Sequence, residues 1–126
     1  MRLANLLIVN ALVLFAFGVL MLFAPTGLMS LYEVTLGPTA VYVARLFAAA
    51  VIGFGILNWA ARNVTDPAAV RAITLGNLSA NGVGLVVTLL AQTEGIVGNL
   101  GWSTVLLFTF FTLGFGFFYL TRAEGT

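Results

Sequence analysis

Histidine and cysteine are both absent from the 126 residues, and charge is scarce, with five basic and four acidic side chains making up 7% of the chain. Without His or Cys there are no ligands for His- or Cys-held haem, thiolate-bound iron–sulfur clusters or Cys/His zinc sites. Disulfides and Ser-His-Asp or Cys-His catalysis go with them. The redox compartment is unreadable for the same reason. No basic cluster points to nucleic acid. Paired carboxylates, His/Asp/Glu metal sets and Gly-rich phosphate loops are missing too. Gly53-Phe54-Gly55 and Gly114-Phe115-Gly116 lie inside apolar runs, not after strands, and do not read as nucleotide loops. A non-enzyme with neither cofactor nor metal is the expectation.

What is present is hydrocarbon. A soluble globular domain carries about 25% charged residues, whereas this chain is 61% hydrophobic. Its charges bound four apolar runs, each about 20 residues long, the length that crosses roughly 30 Å of bilayer core. The expected spans are 3–23, 38–61, 67–92 and 100–121. Arg2 before a long apolar run superficially fits a secretory signal. The run is, however, longer than the about 7–15 residues of a signal core, and no Ala-x-Ala site follows, so a retained first span is expected. Four such runs cannot close a barrel, which leaves helix as the spanning state. The fold class is therefore all-α, an integral membrane four-helix bundle forming a single transmembrane domain over 1–126. Segment 25–37 carries Leu28, Met29, Leu31 and Tyr32 and suits a short helix lying in the interface.

The arginines orient the bundle. Arg2, Arg62, Arg71 and Arg122 fall on one side of a four-span chain, while loops 25–37 and 93–99 hold no Lys or Arg and one Glu each. Lys and Arg concentrate in cytoplasmic loops, so both termini are expected in the cytoplasm and dual topology is disfavoured. Tyr32, Tyr42, Trp59, Trp102 and Tyr119 lie near span ends, as an aromatic belt would.

Four groups of residues are candidates for function. Arg45 is the one charge inside a span, about seven residues or roughly 10 Å from its start. Ala49 and Gly53 share its helical face, as does Ile56, which suggests that it points into the bundle. Glu33 and Glu94 lie on the same side, so an ion pair with either is expected, with anion contact or snorkelling to headgroups as the alternatives. The second group is a polar stripe, Asn77, Asn81 and Thr88, running with Gly84 along one face of the third span. Asn5, Asn10 and Asn58 could join the same interior network. The third group is small residues for close helix packing, Ala49 and Gly53 on the second span and Gly76, Ala80 and Gly84 on the third. The fourth is an aromatic stripe, Phe108, Phe111, Phe115 and Phe118, of a kind that usually faces lipid or a neighbouring subunit. Ser103, Thr104, Thr109 and Thr112 can bond back to the preceding helical turn.

The order of Pro25, a short amphipathic segment, Arg45 and an Ala/Gly-rich half-span ending in Gly53-Phe54-Gly55 and Trp59 resembles small four-span bacterial inner-membrane proteins of the DoxX type. That resemblance implies fold and location only, a multi-pass protein of the inner (plasma) membrane. Small multidrug transporters are set aside because the first span has no carboxylate. Fluoride channels are set aside because their Thr/Phe segment belongs in a different span and the arginine split opposes dual topology. The chain thus reads as a structural or accessory membrane protein, partnered by the lipid bilayer and by a homo-oligomer or larger membrane protein complex. One rival is a small channel or carrier for a neutral solute or anion, using Asn77, Asn81, Thr88 and Arg45. Another is a lipid- or pigment-binding subunit using the phenylalanine stripe.

Overall fold

Prolines set where three of the helices begin. Pro25, Pro38 and Pro67 each occupy a first helical turn, where the missing N–H would have had no partner. The computed structural model describes residues 2–123, with α1 (Leu3–Phe23), α2 (Pro25–Leu31), α3 (Pro38–Ala60), α4 (Pro67–Thr93) and α5 (Gly101–Ala123). Residues 124–126, counted in the 1–126 domain, lie outside the described residues, as does the Arg122 side chain. A single 3-10 turn, Ala61–Asn63, follows α3. Asp66 then caps α4, its carboxylate accepting from the Ala69 N–H at 3.0 Å. There is no strand among the described residues, and α1, α3, α4 and α5 are long and apolar enough to cross a membrane.

The long helices form two antiparallel pairs, α1 with α3 and α4 with α5, which meet mainly through α1 and α5. The starts of α1 and α4 and the ends of α3 and α5 therefore share one end of the molecule, here the terminal end. The other, the loop end, holds α2 and the α4–α5 connection. Of the apolar stretch of α1, 33% is buried, against 17% for α3 and for α4, so α1 is the central helix. The core sits toward the terminal end, where Leu3, Leu6 and Leu7 of α1 pack with Phe111, Phe115 and Phe118 of α5, and with Ala61 and Val70. Gly114 lets Leu6 approach, since a Cβ there would lie 2.9 Å from Leu6 Cδ2.

The phenylalanine stripe therefore faces inward, contrary to its usual direction. Phe115 is fully buried, Phe111 and Phe118 nearly so, and Phe108 lies across Gly84. Outward-facing positions of α5 are instead Leu106, Phe110, Leu113 and Phe117. An exterior as apolar as the interior is what a hydrocarbon surround requires.

At the loop end two helices stop in the same way. After α4, Gly95 turns left-handed at φ 71°, while Gly95 N–H and Ile96 N–H donate back to Gln92 and Ala91. After α2, Glu33 takes that position at φ 60°, with Glu33 N–H and Val34 N–H donating to Ser30 and Met29. Both are Schellman closures, which favour glycine because a Cβ strains this conformation. The Glu33 carboxylate lies against Gly98, whose N–H donates to the Tyr32 carbonyl at 2.8 Å. Tyr32 OH also receives the Thr104 hydroxyl at 3.3 Å, so this corner ties the two helix pairs together. Glu33→Gly should raise stability by about 1 kcal/mol, the cost of a left-handed non-glycine residue, read as thermal unfolding in detergent. A fall instead would mean that the carboxylate's seat on Gly98 outweighs the backbone strain.

Candidate functional site

Asparagine in an apolar helix must find a partner inside the protein, because hydrocarbon offers none. Three helices each bring one to the same point. Asn10 of α1, Asn58 of α3 and Asn77 of α4 are all at most 1% exposed. Asn58 Nδ2 donates to Asn10 Oδ1 at 2.6 Å and to Asn77 Oδ1 at 2.8 Å. Asn77 Nδ2 donates back to Asn58 Oδ1 at 3.0 Å, and also to the Ile73 carbonyl at 3.0 Å. The reciprocal pair between Asn58 and Asn77 joins α3 to α4, which otherwise touch little.

The expected polar stripe divides under this geometry. Asn77 enters the amide cluster. Asn81 donates only to the Asn77 carbonyl, one turn back on its own helix, at 2.8 Å. Thr88 likewise bonds back to the Gly84 carbonyl at 2.9 Å. Thr74, which the stripe did not include, is fully buried beside them and bonds to the Val70 carbonyl. Of the other asparagines, Asn10 and Asn58 join the network and Asn5 is exposed. Ser103 and Thr109 bond to the preceding turn, but Thr104 reaches Tyr32 and Thr112 Oγ1 is buried with no partner.

Arg45 does not pair with a carboxylate. Its Nε donates to the Leu22 carbonyl at 3.2 Å, and neither Glu33 nor Glu94 forms an ion pair with it. The physical reason is the end of α1. Its last carbonyls lack an intrahelical donor, because the chain turns at Ala24 into α2. A cation at a helix C-terminus is also favoured by the helix dipole. Glu33 turns toward Gly98, and Glu94 is the C-cap of α4. Arg45→Ala should therefore cost about 1 kcal/mol, the worth of a cation at a helix end, and Arg45→Lys less. A loss of about 3–5 kcal/mol, the size for breaking a buried ion pair, would point to a carboxylate after all. At the terminal end the arginines stack on aromatic rings, Arg62 over Trp59 at 4.3 Å and Arg71 over Tyr119 at 5.5 Å.

The small residues also separate into two kinds. Gly84 packs inside the chain, under the Phe108 ring. Ala49, Gly53, Gly76 and Ala80 are exposed, and a Cβ added at Gly53 or Gly76 would meet nothing within 4 Å. The close contacts between α1 and α3 fall elsewhere, at Gly18 and Gly55. A Cβ on Gly18 would lie 2.7 Å from Ile52 Cγ1, and one on Gly55 would lie 3.2 Å from the Ala11 carbonyl. Gly55 was legible only as part of Gly53-Phe54-Gly55, and nothing in the spacing says which glycine turns inward.

Chemically, the cluster can hold helices together. Amide side chains donate and accept hydrogen bonds and carry no charge. Among the described residues no group of three or more His, Cys, Asp or Glu could hold a metal. The chain belongs to the family described as Domain of unknown function (DUF8292), whose family model matches residues 2–122. No curated protein and no solved structure matches it.

Proposed function

We propose that the chain is a non-enzymatic structural or accessory membrane protein that works within an oligomer or a larger membrane complex. The observation that carries this reading is the outward position of Ala49 and Gly53 on α3 and of Gly76 and Ala80 on α4. In a membrane, small residues let helix backbones approach closely, and van der Waals packing is what drives helix association there. The chain packs its own atoms, backbone included, against Gly18, Gly55, Gly84 and Gly114 and leaves these two faces open. A channel or carrier is less well supported, because Asn81 and Thr88 bond to their own helix and the amide donors of Asn58 and Asn77 are taken up by Asn10, the Ile73 carbonyl and each other.

The membrane in this reading is the bacterial inner membrane, with both termini cytoplasmic. Arg2, Arg62 and Arg71 gather at the terminal end, and the loop end has no Lys or Arg outside α3. A cytoplasm-active reporter fused after Thr126 should be active and a periplasm-active one silent; equal activity of both would overturn the single orientation. For assembly, the purified protein in lipid nanodiscs should run as a discrete oligomer. Gly53→Leu and Gly76→Leu should shift it toward monomer without changing its melting. A monomeric wild-type protein whose solute flux disappears in Asn81→Leu would favour the carrier.

A further inference from the structure

We propose that Arg45 and the seam between α1 and α3 form a binding site for one anionic phospholipid, with the phosphate on the guanidinium and an acyl chain along the seam. The inference rests on the chain's place in a membrane and not on its assembly. An oligomer that fails to form would leave it standing.

α1 has 21 residues, roughly 31 Å at 1.5 Å each, which matches a hydrocarbon core about 30 Å thick. Leu22 is its penultimate residue, and Arg45 bonds to the Leu22 carbonyl. Arg45 therefore sits at the edge of the hydrocarbon, with the lipid phosphates just beyond it, rather than deep within the core. α3 begins further out than α1 ends, which is why counting from Pro38 overestimates the depth.

The guanidinium of Arg45 has five N–H donors and no acceptor. Nε is committed to Leu22, and neither Nη atom meets a protein acceptor. Arg45 is exposed, with no carboxylate partner. The four remaining donors form a fork that fits two phosphate oxygens, the bidentate geometry in which Arg recognises this group.

On α3, Arg45, Ile52, Ile56 and Trp59 follow i, i+7, i+11 and i+14, one helical face on one side of the seam. Beyond Ile52 a groove of about 440 Å³ opens between the helices, lined by Ala11, Phe15, Ala16, Gly55, Ile56 and Trp59. It opens beside the close contact of Gly55 with the α1 backbone, where Ala11 and Ala16 have short side chains. Ile56 is eleven residues from Arg45, roughly 16 Å along the helix, about half the hydrocarbon thickness. A lipid with its phosphate on Arg45 therefore has the far part of one chain at the groove.

The test uses the full-length purified protein in nanodiscs of equal phosphatidylglycerol and phosphatidylcholine, released into native mass spectrometry. Phosphatidylglycerol should be retained about tenfold over phosphatidylcholine, equivalent to ~1.4 kcal/mol. Arg45→Gln keeps a donor for Leu22 without the charge and should abolish that preference. Ala16→Trp, at an exposed position, should fill the groove and lower retention of both lipids with melting unchanged. Millimolar inorganic phosphate should not displace the lipid. Equal retention of the two lipids by the wild type, or a preference that survives Arg45→Gln, would overturn the proposal. Displacement by inorganic phosphate with normal retention in Ala16→Trp would mean a free-anion site instead, and would also overturn it. Should Arg45→Gln not fold, undiminished retention in a folded Ala16→Trp protein would suffice to reject it.

Discussion

Asn58→Leu is expected to lower stability by about 3 kcal/mol, more than any other single change among the buried polar residues. Asn58 donates to both Asn10 and Asn77 and accepts from Asn77. A hydrogen bond between membrane helices is worth about 0.6 kcal/mol on average and up to ~1.7, so three account for about 2 kcal/mol. The orphaned amides of Asn10 and Asn77 add to this, since a buried polar group left unpaired costs about 1–3 kcal/mol. Asn10→Leu removes one acceptor and should cost less. The double change Asn10→Leu/Asn58→Leu should cost less than the sum of the two, because it removes an orphan as well as a bond. Equilibrium unfolding in mixed micelles measures each. Asn81→Leu provides the contrast, since Asn81 bonds only along its own helix. If Asn58→Leu and Asn81→Leu are equally mild, the cluster contributes nothing between helices.

The second large effect separates two glycines on the same helix. Gly55→Leu should destabilise the α1–α3 pair by about 3 kcal/mol, the upper end for overpacking. A Cβ at Gly55 would lie 3.2 Å from the Ala11 carbonyl oxygen and 3.3 Å from the Phe15 nitrogen, and backbone atoms cannot swing aside. Gly84→Leu should cost less, because its obstacle is the ring of the half-buried Phe108, which can rotate. Gly53→Leu should leave melting unchanged, there being nothing within 4 Å of its added Cβ. Thermal unfolding of the three variants in one detergent tests the order, and a Gly53→Leu protein that melts as low as Gly55→Leu would contradict it.

The long helices were legible because charge and proline bound them. Pro38 and Pro67 mark starts, Gly95 marks a stop, and Arg2, Arg62 and Arg71 fall at one end, with Arg45 near the other. Which way each helix faces was much less legible. In water the apolar stripe marks the inside, but in hydrocarbon both sides are apolar and the stripe loses its meaning. The spacing of Phe108, Phe111, Phe115 and Phe118 is correct as one face, yet that face points to the core. The Arg45 face, with Ala49 and Gly53, points outward. Asparagines were better guides, because an amide has few stable places outside the interior. Even so, Asn5 and Asn10 look alike in sequence, and only the packing of α1 exposes one and buries the other.

The absence of cysteine makes the decisive measurement direct, because any single cysteine introduced is the only one in the chain. Ala49→Cys, Ala80→Cys and, as control, Leu106→Cys on the exposed face of α5 would each be labelled in native membranes with a maleimide carrying a benzophenone, then photolysed. Protein–protein adducts are expected from positions 49 and 80, at masses of two or more copies of the chain or of the chain plus a partner, and lipid adducts alone from position 106. Lipid adducts alone from all three positions would contradict the proposed assembly.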